Sequence, residues 1–215
     1  MKKMIVLAVL VLGCYLLYKN FGSSPSNKGA FDAQGNATVI LFTMENCGSA
    51  CSDVIGALKE RNIVFEEIDI MSEEGRRRFE AFGERGVPLT VIGRRKILGS
   101  NLDEITTVLA ETYGGKTLNG AEQSVMGNHF DETGNPRVVM YGASWCPYCR
   151  QAKEYFARNN IPYVEIDVEK SSLARRDYDI LKGRGYPLIY VGYRRISGYS
   201  EEAISQAVRE LLKRS

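Results

Sequence analysis

The chain of 215 residues contains an internal repeat, which is the strongest constraint on its fold. The matched segments are 39–42 with 138–141, Cys47 with Cys146, 68–70 with 166–168, and 85–89 with 184–188. The offset is 99 positions at Cys47 and at the proline of the last segment, and 98 between them, because the first cysteine loop is one residue longer. A unit of roughly 75 residues that occurs twice is too long for a solenoid. We therefore predict two homologous domains.

Each unit predicts the same order of secondary structure. In the second unit an apolar run at 138–141 precedes a cysteine loop, and Ala152, Tyr155 and Phe156 then recur at helical spacing. There follow an alternating strand at 163–168, a charged helix near 173–183, an apolar strand at 188–191, a strand after Gly192 and a helix from about Ser200. The order β-α-β-α-β-β-α predicts an α/β fold with a mixed four-stranded sheet and helices on its faces.

The pattern along the chain predicts five parts. Residues 1–21 form an apolar N-terminal helix, and residues 22–37 form a flexible linker rich in Gly, Ser and Asn. Residues 38–113 form the first domain, 114–135 a second Gly-rich linker, and 136–215 the second domain.

The N-terminal segment predicts attachment to a membrane. Lys2 and Lys3 precede an apolar run at 4–18, which Lys19 ends. As a helix this run rises about 22 Å, less than a hydrocarbon core of roughly 30 Å, but snorkelling lysines make an uncleaved anchor feasible. A cleaved signal peptide is the main alternative, and lipidation at Cys14 is a third. The lysines predict that the domains lie on the extracytoplasmic side, which in a bacterium is the periplasm.

Composition narrows the chemistry. The net charge of +2 gives no large basic field, so we expect no nucleic-acid partner. Four of the five cysteines form two close pairs, a pattern typical of redox or metal chemistry. A zinc site needs four ligands, and the two cysteine pairs occupy equivalent positions in separate domains, so we expect no metal.

The segment Cys146-Pro147-Tyr148-Cys149 lies where a strand leads into a helix. A thiol at a helix N-terminus meets unpaired N–H groups and the positive end of the helix dipole, and both favour the nucleophilic thiolate. The second thiol lies one turn along, where it can reach the first. We therefore predict Cys146 and Cys149 as the catalytic residues.

These residues give the second unit a resemblance to the glutaredoxins. Trp145 and the Cys-Pro-Tyr-Cys segment resemble the dithiol motif of that family, and Tyr186-Pro187 resembles its cis-proline site. The resemblance implies two tandem thioredoxin-like domains and glutathione as co-substrate. It implies that glutathione or substrate contacts Tyr148, Arg184, Tyr186, Pro187, Gly198, Tyr199 and Ser200.

Two departures from the family pattern affect these expectations. Ala143 stands where the family usually has a lysine, which weakens the expected hold on a glutathione carboxylate; Arg194 and Arg195 are candidate replacements. Three residues stand between Cys47 and Cys51, whereas two stand between Cys146 and Cys149. Cys47 and Cys51 can pair if the loop bulges, but as residues i and i+4 of one helix they could meet only with distortion. They form a candidate second redox pair, and a degenerate domain kept for packing is the alternative.

The sequence thus predicts a membrane-anchored thiol–disulfide oxidoreductase of the glutaredoxin type. Through Cys146 and Cys149 it would reduce protein disulfides or glutathione mixed disulfides. The alternative is a membrane-tethered docking module with little redox turnover.

Overall fold

The computed structural model describes residues 29–211, which form two copies of one fold. The first copy contains β1 (Val39–Thr43), α1 (Ser49–Glu60), β2 (Glu66–Asp69), α2 (Glu73–Glu80), β3 (Leu89–Ile92), β4 (Arg95–Leu98) and α3 (Leu102–Tyr113). Helix α4 (Gly120–Met126) lies between the copies. The second copy contains β5 (Val138–Gly142), α5 (Pro147–Arg158), β6 (Tyr163–Asp167), α6 (Ser172–Ile180), β7 (Leu188–Val191), β8 (Arg194–Ser197) and α7 (Glu201–Leu211). The predicted order of elements is confirmed in both copies.

Each copy contains one mixed four-stranded sheet. The strand orders are β2-β1-β3-β4 and β6-β5-β7-β8, and the central strand pairs in parallel with the first neighbour and antiparallel with the second. Strands β1 and β5 are buried along their whole length, because helices cover both faces of the sheet. The C-terminal end of each central strand leads into the cysteine loop. The fold is that of two tandem thioredoxin-like domains.

The segment 114–135, predicted as a linker, contains ordered structure. Helix α4 begins at a capping box, in which the Asn119 side chain accepts from the Glu122 backbone N–H and the Glu122 carboxylate accepts from the Asn119 N–H. Val125 and Met126 of α4 are buried in the core of the second copy. The glycines of this segment led to the prediction of a linker. That prediction was wrong here because the cap and tertiary packing stabilise the helix, rather than helix propensity.

The repeat extends further towards the N-terminus than the sequence comparison detected. Asp32 and Asp131 each accept backbone N–H groups two and four residues ahead, and their carboxylates shape the same turn. A bridge joins Phe31 to Ala37 in the first copy, and Phe130 to Pro136 in the second. Part of the predicted linker 22–37 therefore belongs to the first folded unit.

The two copies contact each other through charged and apolar groups. Arg194 of β8 binds Glu111 of α3, and Ala110 of α3 belongs to the buried core of the second copy. The Arg61 guanidinium, at the end of α1, binds the Glu122 carboxylate at 2.8 and 3.1 Å. These contacts fix how the second copy packs against the first.

Within residues 29–211, no helix is long and apolar enough to cross a membrane. The apolar run at 4–18 lies outside the described residues, so the predicted membrane attachment stays a prediction.

Candidate functional site

Cys146 is the N-cap residue of α5, and its position follows from the local sequence. Pro147 occupies the first turn of the helix, where a missing N–H costs no hydrogen bond. The Cys146 Sγ accepts a hydrogen bond from the Cys149 backbone N–H at 3.0 Å. Negative charge on this sulfur would therefore be stabilised by a helix N–H donor and by the helix dipole.

Cys146 and Cys149 form a disulfide, and their Cα atoms lie 5.2 Å apart. Both side chains are buried in this oxidised form, with 2% of Cys146 and 1% of Cys149 exposed. Gly142 is packed so closely that a Cβ there would lie 3.0 Å from the Cys149 Sγ. The absence of a side chain at Gly142 therefore makes room for the second sulfur.

Aromatic side chains surround the buried disulfide. Trp145 and Tyr148 are 62% and 58% exposed, although they flank the buried Cys146 in sequence. The Trp145 Nε1 donates to a Glu169 carboxylate oxygen at 2.8 Å, and its ring meets Tyr186 edge-on at 6.0 Å between centroids. Trp145 and Tyr186 thus form an aromatic rim beside Cys146, which a partner reacting there would meet.

Apart from Tyr148, which lies in the first turn of α5, the predicted glutathione-binding residues lie on two segments, 184–187 and 198–200. The Tyr186–Pro187 peptide bond is cis, and the Gly198 N–H donates to the Pro187 carbonyl at 2.8 Å. Tyr186 and Tyr199 both pack against the core cluster that contains Cys146 and Cys149. The structure thus brings the predicted proline site and glycine turn together next to the cysteine pair.

Tyr199 and Ser200 have structural partners of their own. The Tyr199 hydroxyl donates to the Glu201 carboxylate at 2.6 Å, and burial together with this contact raises the pKa of Tyr199 to about 12. The Ser200 Oγ accepts from the Ala203 backbone N–H at 3.2 Å. Ser200 therefore caps α7, and any ligand contact by its hydroxyl would be shared with that role.

The arginines divide into free and engaged groups. Arg194 binds Glu111 and Glu210, while Arg195 donates to the Leu181 and Lys182 carbonyls, so neither replaces the missing lysine. Arg184 is exposed beside the proline segment. Among the predicted site residues, Arg184 is thus the cation available to an anionic ligand.

The cysteines of the first copy are also joined. Cys47 and Cys51 form a disulfide with a Cα–Cα distance of 5.6 Å. Of the two routes by which these cysteines could meet, the structure has the longer loop and not a distorted helix, because Cys47 precedes α1 and is not part of it. Gly48, at φ 68°, lies between Cys47 and the first helical residue, a left-handed conformation that favours glycine. The longer loop thus lets the two sulfurs meet.

In the described part of the chain, no group of three or more His, Cys, Asp and Glu side chains is arranged to hold a metal ion.

Comparisons with known proteins agree with this geometry. A family model described as glutaredoxin matches residues 138–196. The chain is 27% identical, over 74 residues, to a glutaredoxin-like 8.6 kDa protein encoded in the rubredoxin operon of Clostridium pasteurianum, covering 34% of this chain and 99% of the relative. It is 31% identical over 64 residues to the glutaredoxin of Pseudomonas aeruginosa, covering 29% of this chain and 76% of the relative.

The chain belongs to the glutaredoxin family. Among solved structures it is similar to the glutaredoxin of Archaeoglobus fulgidus, with 26% identity, a TM-score of 0.30, and coverage of 34% of this chain and 86% of that one. The family and the paired cysteines make the protein a thiol–disulfide oxidoreductase in general terms.

Two features of the site do not follow from the motifs of the sequence. The Cys-Pro-Tyr-Cys motif assigns no place to Trp145, whose ring lies against Tyr186 beside the cysteine pair. The carboxylates Glu67 and Asp69 lie beside the first disulfide, a position that the alternating pattern of their strand does not indicate. The contacts of Trp145 and the closeness of β2 to the cysteine loop both depend on tertiary packing. The sequence of one copy does not predict them.

Proposed function

We propose that the second domain catalyses thiol–disulfide exchange, with Cys146 as the attacking thiolate and Cys149 as the resolving thiol. The observation that supports this most is the placement of the Cys146 sulfur at the N-cap of α5, where it accepts the Cys149 N–H. The substrate would be a glutathione mixed disulfide or a protein disulfide.

The reaction conserves atoms and electrons. The Cys146 thiolate attacks one sulfur of the substrate disulfide, and the other substrate sulfur leaves as a thiolate. Cys149 then attacks the Cys146 sulfur of the mixed disulfide, releases the second substrate thiol and closes the Cys146–Cys149 disulfide. The two thiols are regenerated when two molecules of a reductant such as glutathione reverse these steps.

Three features of the surface beside the cysteines support glutathione as the co-substrate. An extended peptide could lie along the cis Tyr186–Pro187 segment, and the backbone N–H groups of the first two residues of α7 would donate to a carboxylate near Gly198. Arg184 is the exposed cation close to the same proline. These groups support glutathione as co-substrate despite Ala143 in the usual lysine position.

The test uses the full chain with Cys47→Ser and Cys51→Ser, so that only the second pair reacts. Turnover of a glutathione mixed disulfide is followed by coupling to glutathione reductase. We expect turnover that Cys146→Ser abolishes, and a trapped mixed disulfide on Cys146 when Cys149 is replaced by serine. Absence of turnover with both glutathione and protein disulfides would reject the proposal.

The burial of Cys146 favours a second candidate, a docking module with little turnover. In the disulfide form Cys146 is only 2% exposed, so a partner has little access to it. Alkylation separates the two functions, because a docking module would leave the reduced Cys146 unreactive. We also propose that residues 4–18 attach the protein to a membrane and that its domains lie on the extracytoplasmic side. Cell fractionation combined with protease added from outside tests both.

A further inference from the structure

The disulfide of the first domain lies in a more open setting than that of the second. Cys47 is half-buried, whereas Cys146 is buried. Both Cys47 and Cys51 line a surface groove, which is bounded by the end of β1, the cysteine loop, the first turns of α1 and the edge strand β2. A partner can thus reach this disulfide from the groove without displacing an aromatic rim.

The groove carries one sign of charge. Its charged lining residues are Glu45, Glu67 and Asp69, all exposed carboxylates. Within residues 29–211 none of the three forms an ion pair, and Glu67 accepts only the Thr43 hydroxyl, at 3.1 Å. The groove therefore presents an uncompensated negative field around the disulfide.

The second domain neutralises the same surface. The residues equivalent to Ser52 and Ile55 are Arg150 and Lys153, and Lys153 binds Glu165 at 3.0 Å. The equivalent of Asp69 is Asp167, which binds Lys170 at 3.1 Å. Glu45 is replaced by Ser144. At the positions that line the groove these differences remove negative charge from the second domain, although Glu169 stands there in place of Met71 of the first.

We propose that Cys47–Cys51 is a second redox site, and that its groove selects a cationic, cysteine-bearing polypeptide rather than glutathione. Lysines or arginines beside the partner's cysteines would meet the three carboxylates, whereas anionic glutathione would be repelled. The reduced pair would act through Cys47, which attacks a disulfide of the partner and forms a mixed disulfide. Cys51 would then release the partner as a dithiol and close the Cys47–Cys51 disulfide, so that one disulfide is gained and one lost.

This inference extends the proposed function to a different site, so the two can fail separately. The full chain with Cys146→Ser and Cys149→Ser, reduced beforehand and freed of reductant, isolates the first pair. Three probes are offered: a synthetic peptide with an internal disulfide and four lysines, the same peptide with four glutamates, and glutathione disulfide. Reduction of each probe is followed by mass spectrometry at low and high salt.

We expect the lysine peptide to react at least about tenfold faster than the glutamate peptide at low salt, because a field of one sign raises the encounter rate. At about 1 M salt the ratio should fall towards one, since the screening length is then roughly 3 Å. Glutathione disulfide should react as slowly as the glutamate peptide. Equal rates for both peptides at low salt would overturn the charge selection.

A matched pair of variants tests whether charge in the groove causes the preference for the lysine peptide. Ile55→Lys places the second domain's cation beside Glu67, and should remove most of the preference for the lysine peptide. Val64→Lys adds the same charge at a 92% exposed position that does not line the groove, and should leave the preference intact. If neither peptide is reduced while Cys47 is alkylated readily, the site is not redox-active and the inference fails.

Discussion

The Arg194 guanidinium of the second domain binds the Glu111 carboxylate of the first, with Nη2 and Oε2 2.9 Å apart. Arg194 also binds Glu210 of its own domain at 2.9 Å. In the repeat, Glu111 corresponds to Glu210 and Arg95 to Arg194, and Arg95 lies 3.7 Å from Glu111. Each domain therefore contains the equivalent ion pair, Arg95–Glu111 or Arg194–Glu210. The additional pair between Arg194 and Glu111 joins the two domains.

Arg194→Ala should weaken the coupling between the domains. The side chains of Arg194 and Glu111 are 17% and 14% exposed, so the loss lies between that of a surface pair and a buried one, at about 2 kcal/mol. We expect the calorimetric unfolding of the full chain to broaden or divide into two transitions. The control is Arg158→Ala, whose pair with Glu201 is mostly exposed and should contribute less than about 0.5 kcal/mol. Equal effects of both substitutions would contradict this role.

His129 should make the second domain sensitive to mild acid. Burial lowers the pKa of His129 to about 4, and its Nε2 lies 2.9 Å from the Tyr141 hydroxyl. The pKa of His129 is lower in the folded than in the unfolded state. The free energy of unfolding therefore has its full value above about pH 6.5 and decreases as the pH falls towards 4. Between pH 7.5 and pH 5 the loss is about 2 kcal/mol.

Urea unfolding at several pH values measures this loss, and His129→Gln is the control. The sequence contains one histidine, so titration between pH 5 and 7 is assigned without ambiguity. The variant should unfold with little pH dependence in that range. A slope that persists in His129→Gln would show that another group titrates on unfolding.

Trp145 should report the redox state of the second domain alone. Trp145 is the single tryptophan of the chain. Because it is next to Cys146 in sequence, we expect reduction of the disulfide to change its surroundings. We expect its fluorescence to shift on reduction of the wild-type chain and of the Cys47→Ser, Cys51→Ser variant. The shift should vanish with Cys146→Ser and Cys149→Ser. A shift that instead follows the first pair would mean that the two sites are coupled.

Gly142→Ala should disfavour the oxidised form of the second pair. The new Cβ would lie 3.0 Å from the Cys149 Sγ, so the sulfur has to move by a few tenths of an ångström. We expect the variant to be reduced at a higher potential than the wild-type chain in a glutathione titration. Gly127→Ala, where a Cβ meets nothing within 4 Å, is the control and should not change the potential.

Much of the fold follows from the repeat, because apolar runs and turn residues recur in the same order and each copy confirms the other. Helix α4 did not follow, although Asn119 and Glu122 have the spacing of a capping box. The pairing of Cys146 with Cys149 was predictable from helix geometry. The burial of Cys146 was not, since it depends on packing against side chains such as Tyr186 and Tyr199, which come from separate segments.

The turn that precedes β5 has a practical consequence for anyone who wishes to excise the second domain. The His129 ring lies against Tyr190, with centroids 4.6 Å apart, and Phe130 packs on Tyr193 at the same spacing. A fragment cloned from Val138 would strip both rings from its own interior and leave the tyrosines facing water. A fragment of the second domain should therefore begin upstream of Leu118, although its first strand, β5, begins twenty residues later.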